Sequence, residues 1–167
     1  MSRPTFAGRR GSISATITRI HPMIPTDHSP TGGFATLVPE LTVLDLTASL
    51  GFWCDVLGFE IAYQRPERGF AYLERGGAQV MLEVSNGNWQ TGELARPFGR
   101  GINIMIFVED IDPLIAALDG AGWPLFRSPE DAWYRLGEQE VGQREFLVQD
   151  PDGYLLRFAQ ALGYRPT

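Results

Sequence analysis

The sequence contains no lysine, and all 14 of its basic residues are arginines. This excludes Schiff-base chemistry, a lysine general base and a P-loop lysine. A single cysteine, Cys54, excludes an internal disulfide and a cysteine-based zinc site. No run approaches the roughly 18 consecutive apolar residues of a membrane span, and the start of the chain lacks the apolar stretch of a secretory signal. We therefore expect a cytoplasmic protein without a membrane partner.

The charge of the chain is unevenly distributed. Its net charge of −6 divides into +3 on residues 1–36, which hold four Arg and one Asp, and −9 on residues 37–167. An acidic body argues against binding to the phosphate backbone of nucleic acids. It is compatible either with a cationic ligand or simply with solubility, and composition leaves both explanations open.

The body of the chain, from Leu37 onward, has a duplicated pattern. Each half begins with an apolar strand-like run, followed by an acid at a helix start, a glycine after the helix, and further strand-like runs. The two acids, Asp45 and Asp110, lie 65 residues apart, and the two glycines, Gly58 and Gly122, lie 64 apart. The spacing predicts two βαβββ units in one domain, which suits a chain of 167 residues.

The predicted fold is of the α+β class. We expect the two tandem βαβββ units to form a curved mixed sheet around a cleft, with helices on the outer face. The domain covers residues 37–161, with units at 37–86 and 101–161, and residues 162–167 form a tail. Residues 1–36 are rich in Pro, Thr and Gly, which is typical of a flexible arm, although Ile13–Ile20 permits a short strand.

Three segments carry a family resemblance. They are Asp45-Leu-Thr-Ala-Ser-Leu-Gly-Phe-Trp, Leu82-Glu-Val, and the run from Phe146 to Phe158 around an Asp-Pro-Asp-Gly hairpin. Together they resemble the vicinal oxygen chelate superfamily, which includes glyoxalase I, extradiol dioxygenases and bleomycin-resistance proteins. The resemblance implies a divalent metal held by His or Gln in the opening strand of each unit and by Glu in the closing strands.

The residues at the implied metal-ligand positions are unsuited to a metal. These positions carry Val38, Asn103, Glu83 and Arg157, of which only Glu83 provides a carboxylate. Valine cannot coordinate, and arginine brings a permanent positive charge to the place of the cation. The two histidines, His21 and His28, lie in the arm, where we do not expect them to be ligands. A metal-dependent enzyme is therefore disfavoured.

Four further segments, at residues 38–41, 74–83, 137–146 and 150–157, resemble the metal-free pattern of the bleomycin-resistance subgroup. The resemblance implies a homodimer that confers antibiotic resistance by sequestering an aromatic, cationic ligand in clefts at the dimer interface. It implies neither a catalytic residue nor a cofactor. One departure concerns bleomycin itself, because Val141 stands where some drug-sequestering members carry an aromatic residue.

Seven residues are predicted to line the ligand-binding cleft. Phe70 and Tyr72 share one strand face by their period-2 spacing. Glu83 and Arg157 occupy equivalent places in the two units, where they could form an ion pair across the cleft floor. Trp133 is an aromatic candidate, but it and Tyr134 must point to opposite faces of any strand. The predicted set is Phe70, Tyr72, Glu83, Asn103, Trp133, Arg144 and Arg157.

Two other functions are compatible with the sequence. One is a glyoxalase- or dioxygenase-like enzyme that holds a divalent metal through an atypical ligand set. The other is a ligand-sensing or partner-binding module in which residues 1–36 dock on another chain.

Overall fold

The computed structural model describes residues 28–167. The predicted strand at residues 13–20, and His21, lie outside the described residues. The first unit consists of β1 (Glu40–Val43), α1 (Leu46–Leu50) continued by a π-helical segment (Gly51–Val56), β2 (Glu60–Arg65), a 3-10 turn (Pro66–Arg68), β3 (Phe70–Arg75) and β4 (Ala78–Val84). The second consists of β5 (Asn103–Val108), α2 (Asp112–Gly120), β6 (Leu125–Leu136), β7 (Gln139–Gln149) and β8 (Leu155–Pro166).

The two units fold into sheets of identical topology. The strand order is β1-β4-β3-β2 in the first sheet and β5-β8-β7-β6 in the second. In each sheet the first strand runs parallel to the last, and the remaining pairs are antiparallel. The repeat confirms the predicted α+β class and the two tandem βαβββ units. The sheets are separate four-stranded sheets rather than one continuous sheet.

The larger apolar cluster contains residues of both units and joins them. It includes inward-pointing residues of the first sheet, such as Leu73 and Leu82, and of the second, such as Phe146 and Phe158, together with residues of both helices. Because successive residues of a strand point to opposite faces, the other face of each sheet is turned away from this core. The first outer face carries Glu40, Tyr63, Phe70, Tyr72, Glu74, Gln79, Met81 and Glu83. The second outer face carries Asn103, Met105, Phe107, Tyr134, Glu145 and Arg157.

The ends of the first helix follow from its sequence. The Asp45 carboxylate accepts a hydrogen bond from the backbone N–H of Ala48 at 3.1 Å, which satisfies a donor left free in the first turn. Gly58, with φ +71°, follows the helical residues and turns the chain toward β2. Both residues have the roles that their spacing predicts.

The Asp-Pro-Asp-Gly hairpin between β7 and β8 holds the two units together. Asp152, which is almost fully buried, accepts hydrogen bonds from the backbone N–H of Leu44 at 3.0 Å and from Arg96 at 2.7 Å. Asp150 accepts one from the indole N–H of Trp53 at 3.4 Å. The sequence predicts only a turn here, whereas the structure shows that the turn also joins the units.

The second sheet is longer than predicted. The strand-like runs at 125–127 and 133–136 are parts of a single strand, β6, which has irregular register between Leu125 and Glu130. Residues 162–166, predicted as a tail, instead continue β8 and pair with the beginning of β7. The pairing explains the difference, because it satisfies backbone groups that a free tail would leave to water. Within residues 28–167, no helix is long and apolar enough to cross a membrane.

Candidate functional site

Aromatic rings cover much of the first outer face. Tyr63 and Tyr72 are stacked with their ring centroids 5.0 Å apart, and Phe70 lies 5.9 Å from Tyr63. The guanidinium carbon of Arg65 lies 4.8 Å from the centre of the Phe70 ring. Phe70 and Tyr72 are only 4% and 2% exposed, so these rings can offer stacking to an aromatic ligand, or cation–π attraction to a positively charged one, only when the groups that cover them move aside.

Two carboxyl groups lie beside these rings. Glu83 is paired with Phe70 across the β3–β4 ladder, and Glu40 on β1 lies close enough to hydrogen-bond to it. Burial raises the pKa of Glu40, the hydrogen bond and charge of Glu83 raise it further, and Arg65 opposes the shift. A cation placed beside the pair would favour the ionised form of Glu40.

Residues 28–36, here called the strap, lie across the same face. The backbone N–H and hydroxyl of Thr31 donate to the two carboxylate oxygens of Glu74, at 2.8 and 3.1 Å. The side chain of Gln79 accepts from the N–H of Ala35 and donates to the carbonyl of Gly33. These contacts fix a segment for which the composition predicts flexibility.

The second outer face carries a buried charge pair. Glu145, buried in β7, accepts a hydrogen bond from the Tyr134 hydroxyl at 3.0 Å. Its other carboxylate oxygen lies 3.3 Å from Nε of Arg157, although the two atoms are not aligned as a hydrogen bond. The Arg157 guanidinium also contacts the sulfur of Met105 at 3.3 Å. Partial burial raises the pKa of Tyr134, as does its bond to Glu145, while the charge of Arg157 lowers it.

The predicted cleft residues are divided between these regions. Phe70, Tyr72 and Glu83 lie on the first outer face, whereas Asn103 and Arg157 lie on the second. Arg157 is paired with Glu145, and the neighbour of Glu83 is Glu40. The predicted ion pair between Glu83 and Arg157 is therefore not formed within one chain. The shared core explains this, because it turns the two outer faces away from each other.

Two of the predicted residues lie on neither outer face. The Trp133 ring packs over Gly142, where an added Cβ would be 2.7 Å from the ring, and the Arg165 guanidinium lies 4.0 Å from the ring centre. Its neighbour Tyr134 is the aromatic residue that reaches Glu145. Arg144 precedes Glu145 in β7, so its side chain leaves the opposite side of the sheet. Strand alternation therefore places Trp133 and Arg144 on the opposite side of the second sheet from Tyr134 and Glu145.

Asn103 also borders a cavity at the junction of the units. The cavity has a volume of about 390 Å³, and its walls are mostly apolar. They include Trp53 and Phe59 from the first unit and Ile104 and Ile106 from β5.

The four implied metal-ligand positions do not form a cation site. Val38 packs in an apolar cluster with Phe70 and Tyr72, and Arg157 directs a guanidinium toward the carboxylate of Glu145. Within residues 28–167, no group of three or more His, Cys, Asp and Glu side chains is arranged to hold a metal ion. This donor set does not fit the divalent metal that the superfamily resemblance implies.

Cys54 has the environment of an unreactive thiol. It lies half-buried in the π-helical segment, and burial raises the pKa of its thiol to about 12. Since the thiolate is the reactive form, Cys54 is a poor nucleophile near neutral pH.

Comparison with known proteins identifies the family. Residues 33–158 match the family described as the Glyoxalase/Bleomycin resistance protein/Dioxygenase superfamily. The chain belongs to this superfamily. It is 31% identical over 134 residues to a bleomycin resistance protein of Geobacillus stearothermophilus, an alignment that covers 75% of this chain and 96% of the relative.

Solved structures agree on the fold of this superfamily member. TioX from Micromonospora sp. ML1 superposes with a TM-score of 0.61 at 22% identity, covering 77% of this chain and 100% of that one. The bleomycin resistance determinant encoded on transposon Tn5 gives a TM-score of 0.53 at 21% identity, covering 76% and 98%. At these identities the similarity concerns the fold.

The strap, Glu74 and Gln79 were not predicted as parts of a site. The family match begins at residue 33, within the strap. The sequence holds one signal for this contact, because Glu74 and Gln79 are polar residues within otherwise apolar strands. Buried polar side chains require hydrogen-bond partners, so a segment that covers them is expected.

Proposed function

We propose that this protein binds and sequesters a small aromatic, cationic ligand without transforming it chemically. The observation that carries the proposal is the stack of Tyr63, Tyr72 and Phe70 beside the Glu40–Glu83 pair on the first outer face. The rings would stack on the aromatic part of the ligand, and the carboxylates would attract its positive charge. The names of the bleomycin-resistance relatives support an antibiotic as the ligand.

We further propose that the complete cleft forms between two copies of the chain. The two outer faces point away from a shared core, so each offers only one wall of a cleft. The first face carries the acidic Glu40–Glu83 pair, and the second carries Arg157, whose charge is paired with Glu145 of its own chain. Apposing the first face of one copy with the second face of another would bring the predicted residues Glu83 and Arg157 to the same cleft.

Binding without catalysis is supported by the residues at the family's metal positions. Val38 and Arg157 cannot replace carboxylate or imidazole ligands, and Cys54 is held as a thiol. We accordingly propose neither a metal nor another cofactor for this protein. A cytoplasmic location remains an expectation from the sequence.

Calorimetric titration with metal-free bleomycin tests the proposal. We expect saturable binding that weakens as salt is raised and that is unchanged by EDTA. Glu83→Gln should weaken binding about fivefold, or about 1 kcal/mol, because it removes one partly exposed charge contact. Glu138→Gln, an exposed residue between β6 and β7, is the control for a general loss of negative charge. An absence of binding at high micromolar bleomycin would remove this drug as the ligand, and equal effects of the two variants would contradict the role of Glu83.

A further inference from the structure

The strap satisfies two buried polar side chains of the first outer face. Glu74 and Gln79 are only 7% and 8% exposed. Glu74 receives both donors of Thr31, while Gln79 receives the N–H of Ala35 at 2.7 Å and donates to the carbonyl of Gly33 at 2.8 Å. The Tyr72 hydroxyl also donates to Gln79. A carboxylate and an amide are thus directed from the sheet toward peptide groups lying above it.

The strap also adds an aromatic ring to the stack. Phe34 meets Tyr72 edge-on at a centroid distance of 5.7 Å and Tyr63 at 6.5 Å. Its own side chain remains largely exposed, at 63%, while Tyr72 beneath it is only 2% exposed. Phe34 therefore lies on top of the aromatic rings and is not buried among them. It contacts the face as a bound aromatic group would, and it is not a core residue.

The strap contacts define a chemical pattern. The strap provides one aromatic ring, three hydrogen-bond donors and one carbonyl acceptor. The donors are two backbone N–H groups and one hydroxyl, and they point at the side-chain oxygens of Glu74 and Gln79. A carboxylate accepts equally well from an ammonium group, with a stronger, charge-assisted bond. The face is thus equipped to recognise an aromatic group that has amide or ammonium N–H donors nearby.

We infer that the strap is a built-in occupant of the ligand site and that ligands bind by displacing it. The ligand class is an aromatic compound bearing amide or ammonium donors, which takes the places of the Phe34 ring and of the N–H groups of Thr31 and Ala35. This inference rests on the proposed function, since it specifies the ligand and the control of the same face. Because the ligand binds only when the strap is open, its apparent affinity is the intrinsic affinity multiplied by the fraction of molecules with an open strap.

A peptide of the strap's own sequence tests the site independently of any drug. The probe is a blocked peptide of residues 28–36, titrated by calorimetry into the full-length Thr31→Val/Phe34→Ala variant and into the wild type. A tethered segment competes at an effective concentration of about millimolar, so the peptide should bind the variant at least about fivefold more tightly than the wild type. A peptide with alanine in place of Phe34 should bind more weakly to the same variant.

Full-length Thr36→Val is the matched control, because Thr36 is an exposed strap residue. It should behave as the wild type. Phe34→Ala alone provides a second variant if the double variant fails a circular dichroism check of folding. Equal peptide binding by wild type and variants, or no binding by the folded variants, would overturn the inference.

Bleomycin distinguishes this inference from the proposed function. If both hold, bleomycin binds the Phe34→Ala chain several-fold more tightly than the wild type, and it increases hydrogen exchange at the amides of Thr31 and Ala35. Peptide binding without bleomycin binding would retain the inference and remove the drug. Bleomycin binding that slows exchange in the strap would show that the strap is a wall of the site, and would overturn displacement.

Discussion

Gly153 determines how closely the hairpin between β7 and β8 approaches the linker between the units. A Cβ added at Gly153 would lie 2.5 Å from the Cβ of Pro97 and 2.6 Å from its Cα, and the residue has φ +97°. The nearby Asp152 carbonyl accepts the N–H of Phe98 at 2.9 Å, so the linker is fixed where the clash would occur. A side chain at Gly153 thus combines backbone strain with overpacking.

We predict that Gly153→Ala destabilises the protein much more than Gly163→Ala. Gly163 has nearly the same φ, +95°, but no atom within 4 Å of an added Cβ, so it isolates the backbone contribution. Overpacking should add about 1–3 kcal/mol to the loss at Gly153. Chemical denaturation of both variants measures the difference in the free energy of unfolding. Equal decreases would contradict the prediction, because they would show that the linker moves aside without destabilising the protein.

Asp150 makes folding stability depend on pH. Burial raises the pKa of Asp150 to about 6. Hydrogen bonds from the Tyr154 backbone and the Trp53 indole lower the pKa, but their effect is smaller than that of burial. Because the folded-state pKa lies above the ordinary value, the stabilising contribution is fully present below about pH 4 and is lost as the pH rises through 6. The loss amounts to at most about 3 kcal/mol.

Asp150→Asn should remove this contribution to the pH dependence. The asparagine carbonyl can still accept the backbone N–H groups of the hairpin, but its amide nitrogen replaces the oxygen that accepts from the Trp53 indole, and that bond is lost. The fold should persist at a lower overall stability, with a flatter stability profile between pH 4 and pH 7. Glu40→Gln is the comparison variant, because the pKa of Glu40 is also raised in the folded protein. Its effect on the pH dependence of stability should therefore have the same sign as that of Asp150→Asn. Denaturation curves at several pH values measure the slopes. Identical slopes for wild type and Asp150→Asn would contradict the prediction.

At the scale of elements, the sequence predicted what periodicity and turn residues control. The Asp45 cap and the glycines after the helices are local signals, and both lie where expected. The Pro, Gly and Thr content of residues 1–36, which include the strap, predicts a flexible segment. The order of the strap depends instead on Glu74 and Gln79, about 43–46 residues away in the chain, which no local pattern reveals.

The end of β8 shows the same limit. Residues 162–167 are predicted to form a tail, but Gly163 to Pro166 pair with Gln139 to Gly142. Arg165 also stacks on Trp133 and bonds to Glu140 at 2.6 Å. These contacts join three strands beyond the main core. They are individually modest, since each charged group remains partly exposed.

We predict that removing residues 162–167 lowers stability by about 1–2 kcal/mol and exposes Trp133 without unfolding the core. The core residues of β8, including Leu156 and Phe158, precede the deletion. Tryptophan emission should shift to longer wavelength. Arg165→Ala should reproduce part of the shift, with removal of Thr167 alone as control. If the emission spectrum and the stability were both unchanged, residues 162–167 would behave as a free tail and the prediction would be wrong.

At the scale of the whole molecule, the duplication was predictable and the placement of the faces was not. Period-2 spacing correctly groups Phe70 with Tyr72, but it cannot tell which face packs on the helices of the other unit. The shared core resolves this by burying Leu73 and Phe146 in one cluster. The consequence is two separate outer faces in place of one cleft closed by a single chain.

Phe107 tests whether the two faces meet in a dimer. Its side chain is 61% exposed on the second outer face, beside the Met105–Arg157 contact. We predict that Phe107→Asp shifts the protein from dimer to monomer in sedimentation velocity and weakens bleomycin binding at least about tenfold, because one wall of the cleft is lost. Trp89→Asp, which alters an exposed aromatic residue of the linker, should leave both properties unchanged. A monomeric Phe107→Asp chain that binds as tightly as the wild type would place the ligand entirely on the first outer face of one chain.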